Sequence, residues 1–119
     1  VASRRDGFTV DPLSAKLIDM LHVTGGRLPI ADSARLVGVD VRTVRRRIVA
    51  ATGLTPKQMA MVVQFHRALR PRFHDRLEVA STAIEAGYAD QAHMSRVFRK
   101  MGGFSPALLP DLVLEGFPI

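Results

Sequence analysis

Between positions 42 and 47 the chain reads RTVRRR, four arginines in six residues with no carboxylate among them. Guanidinium groups at this density repel one another unless an anion neutralises them. The planar arginine fork pairs with phosphate oxygens and with the guanine edge in a fixed geometry, which the lysine ammonium does not reproduce. The whole chain leans the same way. Of 119 residues, 17 are Lys or Arg against 11 Asp or Glu, and 14 of the 17 are arginine. The matching partner is a polyanion. A second, milder stretch follows at 91–96, QAHMSR, where Gln91 suits adenine, Arg96 suits guanine and the methyl of Ala92 suits the methyl of thymine.

Other chemistries lack their residues. Without cysteine there is no disulfide, thiolate nucleophile or Cys-type zinc site. His22, His66, His74 and His93 have no paired spacing, so no metal site is expected; His66 reads as a core or boundary residue and His93 as a groove-facing or capping one. Neither GxSxG nor a phosphate-cradling glycine loop occurs, so no enzyme activity and no cofactor are expected. No pocket for a small effector is legible. A length of 119 residues makes one domain or two very small ones, and 47% hydrophobic with 24% charged residues is a folded composition. The longest apolar run, Met59 to Val63, is too short to span a bilayer, and no signal-peptide pattern occurs, so the chain reads as soluble and intracellular. A chain beginning with Val1 reads as a piece of a longer protein.

The elements that must hold these side chains announce themselves by repetition. TGLTP at 52–56 returns as GGFSP at 102–106, and walking back at the same offset pairs Ile48 with Phe98, Arg46 with Arg96 and Val44 with Met94. Further back Ala34 pairs with Ala83 and Gly38 with Gly87, so one residue is gained in the turn between. Each copy reads as helix, glycine turn, helix: Leu28 to Val37 then Val41 to Ala51, and Glu78 to Ala86 then a helix capped by Asp90 and ended by Gly102. Asp40 and Asp90 are good N-caps, and TP and SP each pair a hydroxyl cap with proline at the first helical position. Asp11 and Pro12 start a helix through Leu13, Leu17, Met20 and Leu21. After Thr55 a connector of about sixteen residues, roughly 24 Å long, runs to Arg70 and is stopped by Pro71. Its Met59, Val62, Val63, His66 and Leu69 are placed to pack against the two copies. A last short helix follows Ser105, and no strand is expected.

With Val41, Val44 and Ile48 turned inward, Arg42, Thr43 and Arg46 face outward and Arg45 and Arg47 flank them. In the second copy Ala92, Ser95, Arg96 and Arg99 point away from the apolar face, with Gln91 and His93 beside them. This is the layout of a helix-turn-helix, whose second helix enters the DNA major groove.

The chain resembles the AraC/XylS-type bacterial transcription regulators. The resemblance is densest in GYADQAHMSRVFRKMGGFSP at 87–106, which carries a Gly-aromatic pair, an Asp-Gln-x-His start, an Arg before an apolar-Phe pair and a closing Gly-x-Ser-Pro. VGVDVRTVRRRIVAATGLTP at 37–56 fits a looser version, and the likeness runs over roughly residues 13–110. After the Ser-Pro, ALLPDL replaces the family's usual aromatic-arginine pair. The resemblance implies an all-α fold of about seven helices: two homeodomain-like three-helix units at 13–54 and 72–110, joined by a connecting helix at 55–71, with an arm at 1–12 and a tail at 111–119.

It further implies sequence-specific binding of double-stranded DNA, with helices 41–51 and 90–101 entering successive major-groove segments of an asymmetric site. Base reading would fall on Arg42, Thr43, Arg45 and Arg46 of the first unit and on Gln91, Ala92, His93, Ser95 and Arg96 of the second. Arg47, Lys57, Arg99 and Lys100 would meet phosphates. RNA polymerase, a separate sensor or dimerisation domain outside this chain, and a bacterial cytoplasmic, nucleoid-associated location are the further expectations. The competing reading is a helical protein-interaction module that docks through the apolar tail Leu108, Leu109, Leu112, Val113, Leu114 and Phe117.

Overall fold

The computed structural model describes residues 11–108, and among them helices joined by short turns are the regular structure, with no strand. Six α-helices are present: α1 (Pro12–Val23), α2 (Ile30–Val37), α3 (Val41–Thr52), α4 (Pro56–Leu69), α5 (Val79–Ala86) and α6 (Gln91–Gly102). A π-helical turn, Arg70–His74, follows α4. The chain divides at Ala60/Met61 into two compact units.

The first unit is built on aliphatic side chains. Asp11 caps α1, its carboxylate accepting from the Ser14 backbone N–H and hydroxyl, both at 2.9 Å. Leu17 and Leu21 of α1 close on Ala34 of α2 and on Val44 and Ile48 of α3, with Met59 and Ala60 of α4 packed against them. Helix α2 starts later than the Leu28 expected, because Pro29 keeps an extended ψ of 145° and becomes the cap. Its carbonyl accepts from the N–H groups of Asp32 and Ser33, the first bonds of the helix.

The second unit is aromatic. Phe65, Phe73 and Phe98 are buried with Met94 and Ala68, and Phe104 packs beside them. The Phe65–Phe98 and Phe98–Phe104 rings meet edge to face at 5.0 and 5.9 Å, the arrangement the ring quadrupole favours. Arg72 ties the ends of the unit together, donating from Nε to the Pro106 carbonyl and from Nη1 to that of Leu77.

The repeat survives in three dimensions. Helices α2 and α5 have 8 residues each, and α3 and α6 have 12. Gly38 and Gly87 both adopt the left-handed conformation, and the next N–H returns to the helix, Val39 to Ala34 and Tyr88 to Ala83. This double-bonded end satisfies carbonyls that would otherwise be orphaned. The residue gained in the second copy is Ala89, inserted between Tyr88 and the Asp90 cap.

Four further expectations are revised. Pro71 does not stop the connector; the chain continues as a wider turn in which the Asp75 N–H bonds to the Arg70 carbonyl at 2.9 Å. Proline has no N–H for the Arg67 carbonyl and its ring crowds that group, so the wider turn carries the chain past it. His66 lies on the exposed side of α4, while Phe65 takes the core position. Gly102 is the last residue of α6, and Gly103 supplies the left-handed cap. A Cβ on Gly102 would approach Phe104 Cε1 to 2.6 Å and Phe65 Cζ to 2.9 Å, so this glycine serves packing rather than the turn. Beyond Ser105 the described residues form only a turn, with Leu108 against the second core. The tail residues 109–119 and the arm before Asp11 lie outside the described residues.

Candidate nucleic-acid interface

Helix α3 begins at Asp40, whose Oδ1 accepts from the Thr43 N–H at 2.8 Å. The Thr43 hydroxyl bonds to the same carboxyl, and together with that N–H and the nearby Arg46 charge it holds Asp40 below its ordinary value of 3.8. Thr43 is therefore occupied at the cap and half-buried. With Val44 and Ile48 buried, Arg42, Arg45 and Arg46 are left exposed on the other side. Their positions at i, i+3 and i+4 put them on one strip of the helix.

Arg47 is turned elsewhere. Its Nη1 lies 2.9 Å from Asp11 Oδ1, linking α3 to the cap of α1. The Ser14 N–H, the Ser14 hydroxyl and Arg47 lower the Asp11 carboxyl in that order of importance. Lys57 is exposed in the first turn of α4. That helix opens with a reciprocal cap, Gln58 N–H to Thr55 Oγ1 at 3.1 Å and Thr55 N–H to Gln58 Oε1 at 3.0 Å.

Helix α6 starts the same way, with Asp90 Oδ1 accepting from the His93 N–H at 2.7 Å. His93, the counterpart of Thr43, likewise folds back. Its Nδ1 accepts from the N–H of the inserted Ala89 at 3.5 Å, and its ring stands edge-on to Tyr88 at 5.3 Å. Gln91, Ala92 and Arg96 are exposed and Ser95 is half-buried. Arg99 and Lys100 are exposed in the last turn, where their charge also suits the negative end of the helix.

The structure thus brings Arg42, Arg45 and Arg46 onto one exposed strip of α3, and Gln91, Ala92 and Arg96 onto the exposed side of α6. It commits Thr43, His93 and Arg47 to intramolecular partners. The third position after an Asp cap is where a side chain reaches back to the helix start, so Thr43 and His93 carried that signal in sequence; the Arg47–Asp11 pair, 36 residues apart, carried none. Among the described residues no group of His, Asp and Glu is placed to hold a metal ion, and no helix is long and apolar enough to cross a membrane.

A helix-turn-helix domain family matches residues 33–109, more than half of the chain. The chain belongs to the AraC/XylS-type helix-turn-helix family. This family is one of transcription regulators rather than enzymes. The HTH-type transcriptional activator RhaS of Escherichia fergusonii is 32% identical over 68 residues, 57% of this chain and 24% of the relative. The chain spans about a quarter of the length of the curated relatives it matches. A probable AraC family transcriptional regulator from Rhodopseudomonas palustris superposes with a TM-score of 0.72 at 18% identity, over 91% of this chain and 100% of that one. The DNA-binding domain of AdpA, a global transcriptional factor solved with a target DNA, superposes with a TM-score of 0.76 at 23% identity, over 88% and 95%. At these identities the two superpositions establish the all-α helix-turn-helix fold.

Proposed function

We propose that this AraC/XylS-type chain is the sequence-specific double-stranded DNA-binding region of a bacterial transcription regulator. The observation that carries the reading is the exposed strip Arg42, Arg45 and Arg46, held on a helix capped by Asp40 and repeated in form by α6. Three exposed guanidinium forks on one helix strip suit guanine edges and phosphates; Gln91, Ala92, Ser95 and Arg96 suit a second, less guanine-rich segment. Helices α3 and α6 each enter a major groove, and because the two faces differ the site is asymmetric. Thr43 and His93 serve this reading by fixing the first turn of each recognition helix. Lys57, Arg99, Lys100 and, once released from Asp11, Arg47 meet phosphates.

Regulation would be imposed by a separate sensor or dimerisation domain, in keeping with RhaS, of which this chain spans 24%. RNA polymerase is the proposed protein partner and the bacterial cytoplasm, at the nucleoid, the proposed location.

The test is fluorescence anisotropy against a random-sequence duplex library and a single-stranded control across a salt series, with the bound fraction sequenced. Steep salt dependence and an enriched asymmetric motif are expected. Charge reversal at Arg46 and Arg96 is expected to abolish binding; retention of duplex affinity by that double variant would defeat the reading and return attention to the apolar tail.

A further inference from the structure

One large apolar side chain stands on the outer side of α3. Val49 is 44% exposed, whereas the aliphatic Val44 and Ile48 of the same helix are buried. It follows Arg45 by four residues and Arg46 by three, the spacing at which helical side chains are neighbours. At about 3.6 residues per turn it falls about 20° around the axis from Arg42, inside the arc bounded by Arg45 and Arg46. Helical side chains lean toward the N-terminus, so the Val49 methyl groups cover the turn that carries those two arginines rather than the end of the helix.

Neither the core nor the helix explains a valine there. A β-branched residue is a poorer helix former than alanine, arginine or lysine, and an exposed one returns little burial. The fifty-residue echo puts the exposed Arg99 at the same place in α6. The two helices therefore differ in kind at this position: α6 presents a cation, and α3 presents a stiff pair of methyl groups among cations.

The surroundings select the partner. An apolar protein surface laid on Val49 would also cover Arg42, Arg45 and Arg46, and desolvating guanidinium groups costs more than burying one valine returns. The major groove of DNA offers both complements side by side: guanine edges for the forks, and the C5 methyl of thymine for an aliphatic group. Valine in a helix holds essentially one rotamer, so the contact costs little side-chain entropy.

We propose that Val49 is a specificity-determining residue that reads the C5 methyl of one thymine in the segment met by α3, beside the bases read by Arg45 and Arg46. This role rests on the reading of α3 as a DNA-facing helix, which it deepens.

The experiment takes the duplex motif enriched by the 119-residue chain and replaces each thymine in turn, on either strand, by deoxyuridine. That change removes the methyl group and keeps the base pair. Affinities of the parent and of Val49→Ser, which lacks both methyl groups, are measured by fluorescence anisotropy, with circular dichroism to show that the variant keeps the helical content of the parent. At one thymine, in the half of the site where Arg46→Ala relaxes preference, deoxyuridine is expected to weaken the parent at least threefold. Val49→Ser should bind the thymine and deoxyuridine duplexes equally. A valine that only supports the helix would instead lower affinity for both duplexes alike and leave their ratio as in the parent. That unchanged ratio, or a parent indifferent to deoxyuridine at every thymine of that half, overturns the proposal and leaves duplex binding standing. A chain that enriches no duplex motif at all defeats the DNA reading itself.

Discussion

Arg47 Nη1 sits 2.9 Å from Asp11 Oδ1, so a cation of α3 is held by the residue that caps α1. Both groups are partly exposed, and such a pair contributes little to stability. On the proposed reading, its effect is expected on DNA binding. Asp11→Asn keeps a capping side chain and releases the guanidinium. It is expected to raise affinity for every duplex at low salt, steepening the salt slope by about one phosphate contact, and Arg47→Ala in the same chain should remove the gain. Titrations of the single and double variants across salt check this; a gain confined to one sequence would contradict it.

Arg46 and Lys100 should behave differently. Arg46→Ala is expected to cost about 1 to 3 kcal/mol on the selected site and to relax preference at one base pair. Lys100→Ala should weaken all duplexes alike. Binding-site selection repeated with each variant separates the two, and equal loss on all sequences for both would remove Arg46 from base reading.

Acid should loosen the helix starts. Asp11 and Asp40 are both held below the ordinary 3.8 by bonds made only in the folded chain. The unfolded chain therefore takes up protons first as pH falls, so the stability they contribute is present above about pH 4 and is lost as pH drops through their lowered folded values. Melting temperature is expected to be level between pH 5 and 7 and to fall below pH 4, less steeply in Asp40→Asn. A melt series over pH 2 to 7 tests it.

Among the described residues the buried Tyr88 hydroxyl has no hydrogen-bond partner, and burial pushes its phenol pKa up. Removing an unsatisfied polar atom while keeping the ring lifts a desolvation penalty. Tyr88→Phe is expected to be neutral or to stabilise by about 1 kcal/mol in chemical denaturation, with the His93 edge contact retained. A loss of more than about 1 kcal/mol would mean that the hydroxyl has a partner in solution.

Two left-handed glycines should tolerate alanine unequally. Gly38 has open space where a Cβ would stand, whereas a Cβ on Gly26 would lie 2.4 Å from the Ala60 carbonyl oxygen. Gly38→Ala pays only the backbone strain, about 1 kcal/mol. Gly26→Ala adds a collision with backbone that has no rotamer to yield, and should cost clearly more. Urea unfolding of both variants decides the order.

What was legible in the chain was whatever a short local pattern encodes. Glycine at a left-handed end, Asp before a helix and the fifty-residue echo located α2, α3, α5 and α6 to within a residue or two. The exposed placement of Arg42 and Arg46 followed from the helical period alone. Pro71 misled because its usual consequence, a break, gave way to a wider turn. His66 misled because apolar spacing along α4 fits either of two adjacent phases, and the Phe65 ring took the core. The Arg47–Asp11 pair was illegible because it joins residues far apart in sequence, whose approach no period predicts.

The two cores share no buried residue, one being aliphatic around Leu17 and Ile48 and the other aromatic around Phe73 and Phe98. Mutational drift on the outer face of α3 therefore leaves the foundation of α6 intact, and the reverse holds. On the proposed reading, substitutions could rewrite one half of the recognised sequence at a time, while the other half kept the fold that holds its own contacts.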